Sequence, residues 1–256
     1  MVSILVHDSK ATLASTLCAK VVSLSLTSIS HHDSFTLALS GGSIPSMLSP
    51  SNMGAAFQAL SATPDYSKWH IILADERVVP PTHADSNLLA LQTASFAGAC
   101  PNLYAISETG SVSEIAADYS QIVTNTLSLS GGVFDCVVLG MGEDGHTCSL
   151  FPSHPITARS LATSPPPPVV DFLTDSPKQP PTRVTLTLPT LNASRTVLFA
   201  AAGAGKADVL SKVFVKTGEV EGGFTADKVV GATFPCGLVE GGELLWLVDQ
   251  GAVSTL

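Results

Sequence analysis

One unit recurs along this 256-residue chain and constrains its fold more than any other feature: a short apolar run that ends in a glycine-rich turn. Phe35–Leu39 runs into Ser40-Gly41-Gly42-Ser43. Phe134–Leu139 runs into Gly140-Met141-Gly142-Glu143-Asp144-Gly145-His146. Thr196–Ala201 runs into Gly203-Ala204-Gly205-Lys206. Further strands are predicted at Val2–Val6, Trp69–Ala74, Arg183–Leu188 and Leu244–Val248. Helices are predicted at Lys10–Leu26, Met53–Leu60, Asn87–Phe96, Ser111–Leu127 and from Ala207 through Val215. Ser111 with Glu114 three residues on is a capping-box pattern. Strands alternating with helices predict an α/β fold, a mostly parallel sheet flanked by helices. The pattern reads as one domain over residues 1–256, with the Pro-rich stretch from Thr163 to Thr182 as a surface loop, because proline suits neither a helix interior nor a central strand. Ligands of open α/β sheets bind at the carboxyl ends of the strands. The three glycine turns are therefore expected to open helices on one rim, together with the Asp75-Glu76-Arg77 corner that ends Trp69–Ala74.

Composition narrows the function classes. Hydrophobic residues make up 45% and charged residues 13%, which excludes a disordered chain. Mean hydropathy is +0.36, yet no run is read as reaching the ~18–20 apolar residues of a spanning helix, so no membrane role is expected. His7 and Asp8 interrupt the N-terminal segment, so no secretory signal is expected, and Ser254-Thr255-Leu256 is no peroxisomal tripeptide. Net charge is −9 and the 12 Lys and Arg are scattered singly, which argues against nucleic acid. Five cysteines, an odd number without a CxxC pair, read as free thiols of a reducing, cytoplasmic compartment. His31-His32 are expected in a solvent-exposed polar turn.

Each motif has a plain structural alternative. Ser40–Ser43 suits a phosphate cradle or merely a tight turn; Pro45 breaks the G-x-S-x-G elbow, which demotes Ser43 as a nucleophile. Gly140-x-Gly142-x-x-Gly145 matches a dinucleotide fingerprint literally, but Glu143 and Asp144 would repel a pyrophosphate. His146, two residues after Asp144, is either a helix cap or a general base oriented by a carboxylate; its place after a strand–glycine turn favours the base. Asp75-Glu76-Arg77 is either a surface ion-pair cluster or part of a site, and the low charge content favours the site. Gly203–Lys206 lacks a full P-loop but leaves Lys206 as a single phosphate-binding lysine. No metal-ligand spacing occurs, and neither metal nor organic cofactor is expected.

At these residues the chain resembles the 6-phosphogluconolactonase family. The resemblance lies in Leu39–Pro45, Asp75–Val79, Ser86-Asn87, Gly140–Pro152, Arg183–Thr187 and Gly203–Ala207, in the family's order. The departures are Ile44 in place of Thr, Cys148 and Cys236 in place of Ala, and the long Pro-rich loop. The resemblance implies a Rossmann-like domain and hydrolysis of 6-phospho-D-glucono-1,5-lactone to 6-phospho-D-gluconate, in the oxidative pentose phosphate pathway. It implies His146 as the base, oriented by Asp144. Substrate-binding positions would be Gly41, Gly42, Ser43, Asp75, Arg77, Asn87 and Lys206. The implied partner is a small sugar-phosphate lactone, and the enzyme is expected to be a monomer. The rivals are a sugar-phosphate isomerase or deaminase of the same superfamily and a non-catalytic sugar-phosphate sensor. The Thr147–Pro152 continuation and the Asp75–Arg77 corner favour the lactonase over the first, and His146 favours it over the second.

Overall fold

The computed structural model describes residues 2–256. In chain order it contains β1 (Val2–His7), α1 (Lys10–His32), β2 (Phe35–Leu39), α2 (Ile44–Met47), α3 (Pro50–Ala59), β3 (Trp69–Leu73) and β4 (Asp75–Arg77). There follow α4 (Asn87–Ala94), β5 (Asn102–Tyr104), α5 (Val112–Ser128), β6 (Cys136–Leu139), α6 (Pro155–Ser160), β7 (Val170–Leu173) and β8 (Arg183–Leu186). The chain ends with α7 (Leu188–Asn192), β9 (Thr196–Ala201), α8 (Ala207–Val213), β10 (Phe214–Val220), β11 (Gly223–Lys228), α9 (Pro235–Leu238) and β12 (Glu243–Asp249).

Nine strands form one sheet in the order β10-β11-β1-β12-β9-β6-β2-β3-β5. The seven strands from β1 to β5 pair in parallel, and β10 and β11 add an antiparallel edge. The mostly parallel sheet is as expected. Parallel strands covered on both faces must be apolar throughout, and β2, β6 and β9 are buried at every residue. From β2 the chain winds outward through β3 and β5, then crosses back to β6 and winds the other way through β9 and β12. The order therefore reverses between β2 and β6, where a parallel sheet leaves a crevice at its carboxyl edge. Pairing of Leu39 with Leu73 and with Val138 keeps β2, β3 and β6 level there.

Several expectations are corrected. Helix α1 continues past Leu26 to His32 and ends on Asp33 in the left-handed conformation, so His31 and His32 are helical; His32 Nε2 lies 3.0 Å from Asp135 Oδ1 and is only part-exposed. α1 is also long and apolar enough, at a hydropathy of 1.4, to match a membrane span by length and composition. Its Ser and Thr residues masked that length in the sequence. Leu13, Leu17, Cys18, Val21 and Val22 on it are buried in the core, where α1 packs against α3 and the sheet. The last helix of the third glycine unit stops at Val213, and Phe214 begins an antiparallel hairpin. The Pro-rich stretch contains β7, whose Val170–Leu173 pairs antiparallel with β8. A three-stranded sheet β4-β8-β7 results, in which β7 is an edge strand, the position that flanking prolines permit.

Candidate active site

The reversal point holds a cavity of about 400 Å³ lined by all three glycine turns. β2 delivers Ser40, Gly41, Gly42 and Ser43. The backbone turns with Gly42 at φ 65°, a left-handed value that glycine adopts without penalty. A side chain at Gly41 would overlap the Asn87 carboxamide. Among the described residues, the N–H groups of Gly41, Gly42 and Ser43 and the Ser43 hydroxyl have no hydrogen-bond acceptor. The cavity therefore has a set of unpaired donors along one wall.

β6 delivers the catalytic-looking turn. It opens no helix until α6; Gly142 N–H donates to His146 O at 2.8 Å and Thr147 pairs with Leu150, which curls the chain into a tight loop. This corrects the expectation that all three turns open helices. It also removes the dinucleotide geometry, which needs a helix N-terminus behind the glycines. The loop brings His146 Nδ1 to 2.5 Å from Asp144 Oδ1. A Cβ on Gly142 would overlap both partners, so glycine there lets the imidazole and carboxylate meet. The ring also lies against Phe151, centroids 4.9 Å apart.

The electrostatics of the pair follow from this geometry. Burial raises the Asp144 pKa, but the His146 hydrogen bond and charge, its backbone N–H and Lys178 outweigh it and hold the carboxyl at about 2. Burial, with a smaller push from Lys178, holds His146 below its ordinary value of 6.5 against the hydrogen bond and charge of Asp144, which raise it. A neutral imidazole beside an ionised carboxylate carries its proton on Nδ1. Nε2 then carries a lone pair with no hydrogen-bond partner among the described residues, on a residue that lines the cavity.

β4 supplies the third wall. Asp75 is 5% exposed and accepts from Ser149 Oγ at 2.7 Å and from the Asn87 amide at 3.3 Å. Arg77 Nη1 donates to Asp85 O at 2.8 Å, and Arg77 Nε is buried with no hydrogen-bond partner among the described residues. Glu76 points the other way and caps α4: its oxygens accept from the N–H groups of Asn87 at 2.8 Å and Leu88 at 2.7 Å. Asn87 is corrected from the cavity lining to a support behind it. It is 3% exposed, and its amide ties Asp75 to the back of Gly41.

Lys206 lines the cavity from the turn after β9. Lys10 does so as well, from the first turn of α1, and this residue was missed. The signal existed: Lys10 opens the helix after the first predicted strand, and β1 runs parallel to β12, so the β1–α1 junction falls on the same rim. Among the described residues neither lysine has a carboxylate or hydrogen-bond partner, and Arg77 has no carboxylate partner. Three cations with no ion-pair partner among the described residues therefore face one cavity. Cys148 also lines it, but burial pushes the thiol pKa up, so it stays protonated and unreactive. Among the described residues no group of three or more His, Cys, Asp or Glu is placed to hold a metal ion.

Known proteins agree with this arrangement. Residues 8–246 match the family described as glucosamine-6-phosphate isomerases/6-phosphogluconolactonase. A 6-phosphogluconolactonase of Bos taurus is 37% identical over 229 residues, covering 87% of this chain and 81% of the bovine one. A protein of Oryza sativa subsp. indica named probable 6-phosphogluconolactonase 3, chloroplastic, is 34% identical over 268 residues, covering 99% of this chain and 76% of its own. The fold is that of the 6-phosphogluconolactonase structure from Trypanosoma brucei, with a TM-score of 0.74 at 24% identity over 100% of this chain and 99% of that one. With the matched sequence running through all three glycine turns, the chain belongs to the 6-phosphogluconolactonase family.

Proposed function

We propose that this chain hydrolyses 6-phospho-D-glucono-1,5-lactone to 6-phospho-D-gluconate, with His146 as general base. The observation that carries the reading is the neutral imidazole, tethered by Asp144, in a cavity that also holds three unpaired cations. A lactone is an activated ester, so water suffices as nucleophile and no covalent intermediate is needed. His146 Nε2 takes a proton from water as its oxygen bonds to the carbonyl carbon. The ionised Asp144 stabilises the imidazolium that forms. The imidazolium then returns the proton to the ring oxygen as the C–O bond breaks, which opens the ring to a carboxylic acid that gives up its own proton to solvent and leaves as the carboxylate. Arg77, Lys206 and Lys10 bind the phosphate, and the free N–H groups of Gly41–Ser43 offer further donors to anionic oxygens. Binding energy gathered at the phosphate orients the distant carbonyl.

The five buried free thiols suit a reducing compartment, cytoplasmic on this reading.

The test is acid release from freshly prepared lactone, with the spontaneous rate subtracted, beside an assay for ammonia release from glucosamine 6-phosphate. Lactone hydrolysis well above background and no ammonia is the expected result; the reverse would move the chain to the deaminase branch. Binding of the sugar phosphate with no turnover of either substrate would make it a sensor. His146→Ala is expected to lower kcat by about 10²–10⁴. Arg77→Ala and Lys206→Ala are expected to raise KM for the phosphorylated lactone far more than for gluconolactone. Equal losses on both substrates would remove these cations from the phosphate.

A further inference from the structure

Lys178 and the segment that carries it have no step in the proposed mechanism. Lys178 Nζ lies 3.3 Å from Asp144 Oδ2, while Asp144 Oδ1 holds the His146 ring. One carboxylate is thus shared between a base and an ammonium group, one oxygen to each. The segment is pinned from beneath. Arg183 is 2% exposed, and its Nη2 donates to the carbonyls of Lys178 and Gln179 at 2.9 and 2.9 Å, its Nε to that of Pro180 at 2.9 Å. Ser176 N–H donates to Pro181 O at 3.0 Å and closes the turn. Arg183 in turn lies over the Phe151 ring that packs on His146. A buried guanidinium that takes three successive carbonyls fixes the path of this loop, and the path ends at Asp144. Lys178 does not line the cavity.

We propose that Lys178, delivered by the Arg183-anchored loop, is a positioning residue that holds the Asp144 carboxylate for His146. The proposal rests on His146 being the base. Both partners are half-exposed, at 45% and 39%, so the attraction alone contributes little to stability. The gain is geometric: with Oδ2 held, Oδ1 keeps its line to Nδ1 through the reaction. The charge has a second effect. The charged groups that act on His146 are Asp144 from its own turn, Lys178 from the loop and Asp75 from β4; of these, Lys178 favours the neutral ring and the two carboxylates favour the charged one. Removing Lys178 therefore moves the His146 titration upward.

Lys178→Met and Lys178→Arg separate this role from others. Lys178→Met is expected to lower kcat about tenfold with KM nearly unchanged, and to move the rising limb of the kcat pH profile upward. Lys178→Arg, which keeps the charge and the reach, should recover most of the loss. In an Asp144→Asn background Lys178→Met should cost nothing further, because the residue acts through that carboxylate. A raised KM at unchanged kcat would make Lys178 a substrate contact instead. An equal loss in both backgrounds, or an unmoved pH profile, would overturn the proposal. NMR titration of the His146 imidazole in wild type and Lys178→Met reads the same coupling without turnover. If His146→Ala remains active, the base assignment fails, whereas an unshifted imidazole titration in Lys178→Met fails Lys178 alone.

Discussion

At the scale of single residues the site turns on one hydrogen bond, His146 Nδ1 to Asp144 Oδ1 at 2.5 Å. It decides the tautomer and therefore which nitrogen would face substrate in the proposed mechanism. The sign of the pH dependence follows. A base works only when neutral, and burial holds His146 below 6.5. The rising limb of kcat/KM, after subtraction of the base-catalysed background, is therefore expected to have its midpoint below 6.5. A midpoint above that value would mean that Asp144 outweighs burial. Both members of this pair and all the cations but Lys10 and Lys178 were legible in the sequence, because each stands at or next to a glycine turn or strand end. Lys10 and Lys178 were not. A lysine in a first helical turn and a lysine in a proline-rich loop look like solvated surface until the chain brings them to the rim.

At the scale of elements, the corner Asp75-Glu76-Arg77 shows three neighbouring charges put to three uses. β4 pairs with β8, so alternate side chains point to opposite faces. Asp75 and Arg77 face the cavity, and Glu76 faces the N-terminus of α4. Of the tripeptide read as a site, the structure places Asp75 and Arg77 in the cavity wall and Glu76 outside it. Glu76 is a helix cap, buried to 2% exposure, and its pKa is raised by that burial despite three backbone N–H donors. Glu76→Ala leaves buried donors without an acceptor and is expected to lower stability by about 2–4 kcal/mol. The pH dependence has a definite sign. With its folded pKa above 4.5, the native state holds more protons than the unfolded one just above that pH. The Glu76 contribution to stability therefore declines as pH rises from 4.5 through the folded pKa. Glu76→Gln should lose that slope and cost less than Glu76→Ala; urea unfolding at several pH values measures both.

At the scale of the whole molecule, the two ends of the parallel sheet do different work. The amino end is closed by Asp135, which accepts from Thr36 N–H at 2.9 Å and from Arg195 at 3.0 Å and ties β2 to β6. The carboxyl end is left open, and there the free cations and free N–H groups collect. Among the described residues no three His, Cys, Asp or Glu at that end are grouped to hold a metal, and the proposed mechanism needs only water and the His146–Asp144 pair. Activity is therefore expected to survive exhaustive chelation and dialysis. Loss of activity that a divalent cation restores would replace the histidine base by a metal-bound water.

The amino-acid sequence by itself determined the α/β class, the parallel core strands and the three glycine turns. These are local matters: burial on both faces demands continuous apolar runs, and a left-handed or crowded backbone demands glycine. It also placed Asp144 two residues before His146, close enough for a loop to join them. Only the tertiary structure decided what lies across from what. The reversal between β2 and β6 made one cavity of three distant turns. The docking of hairpin β10–β11 on β1, the pairing of β8 with β4 and the reach of Lys178 to Asp144 depend on partners far along the chain. No local pattern encodes such pairings, because they are selected by the burial and hydrogen bonding of the assembled sheet.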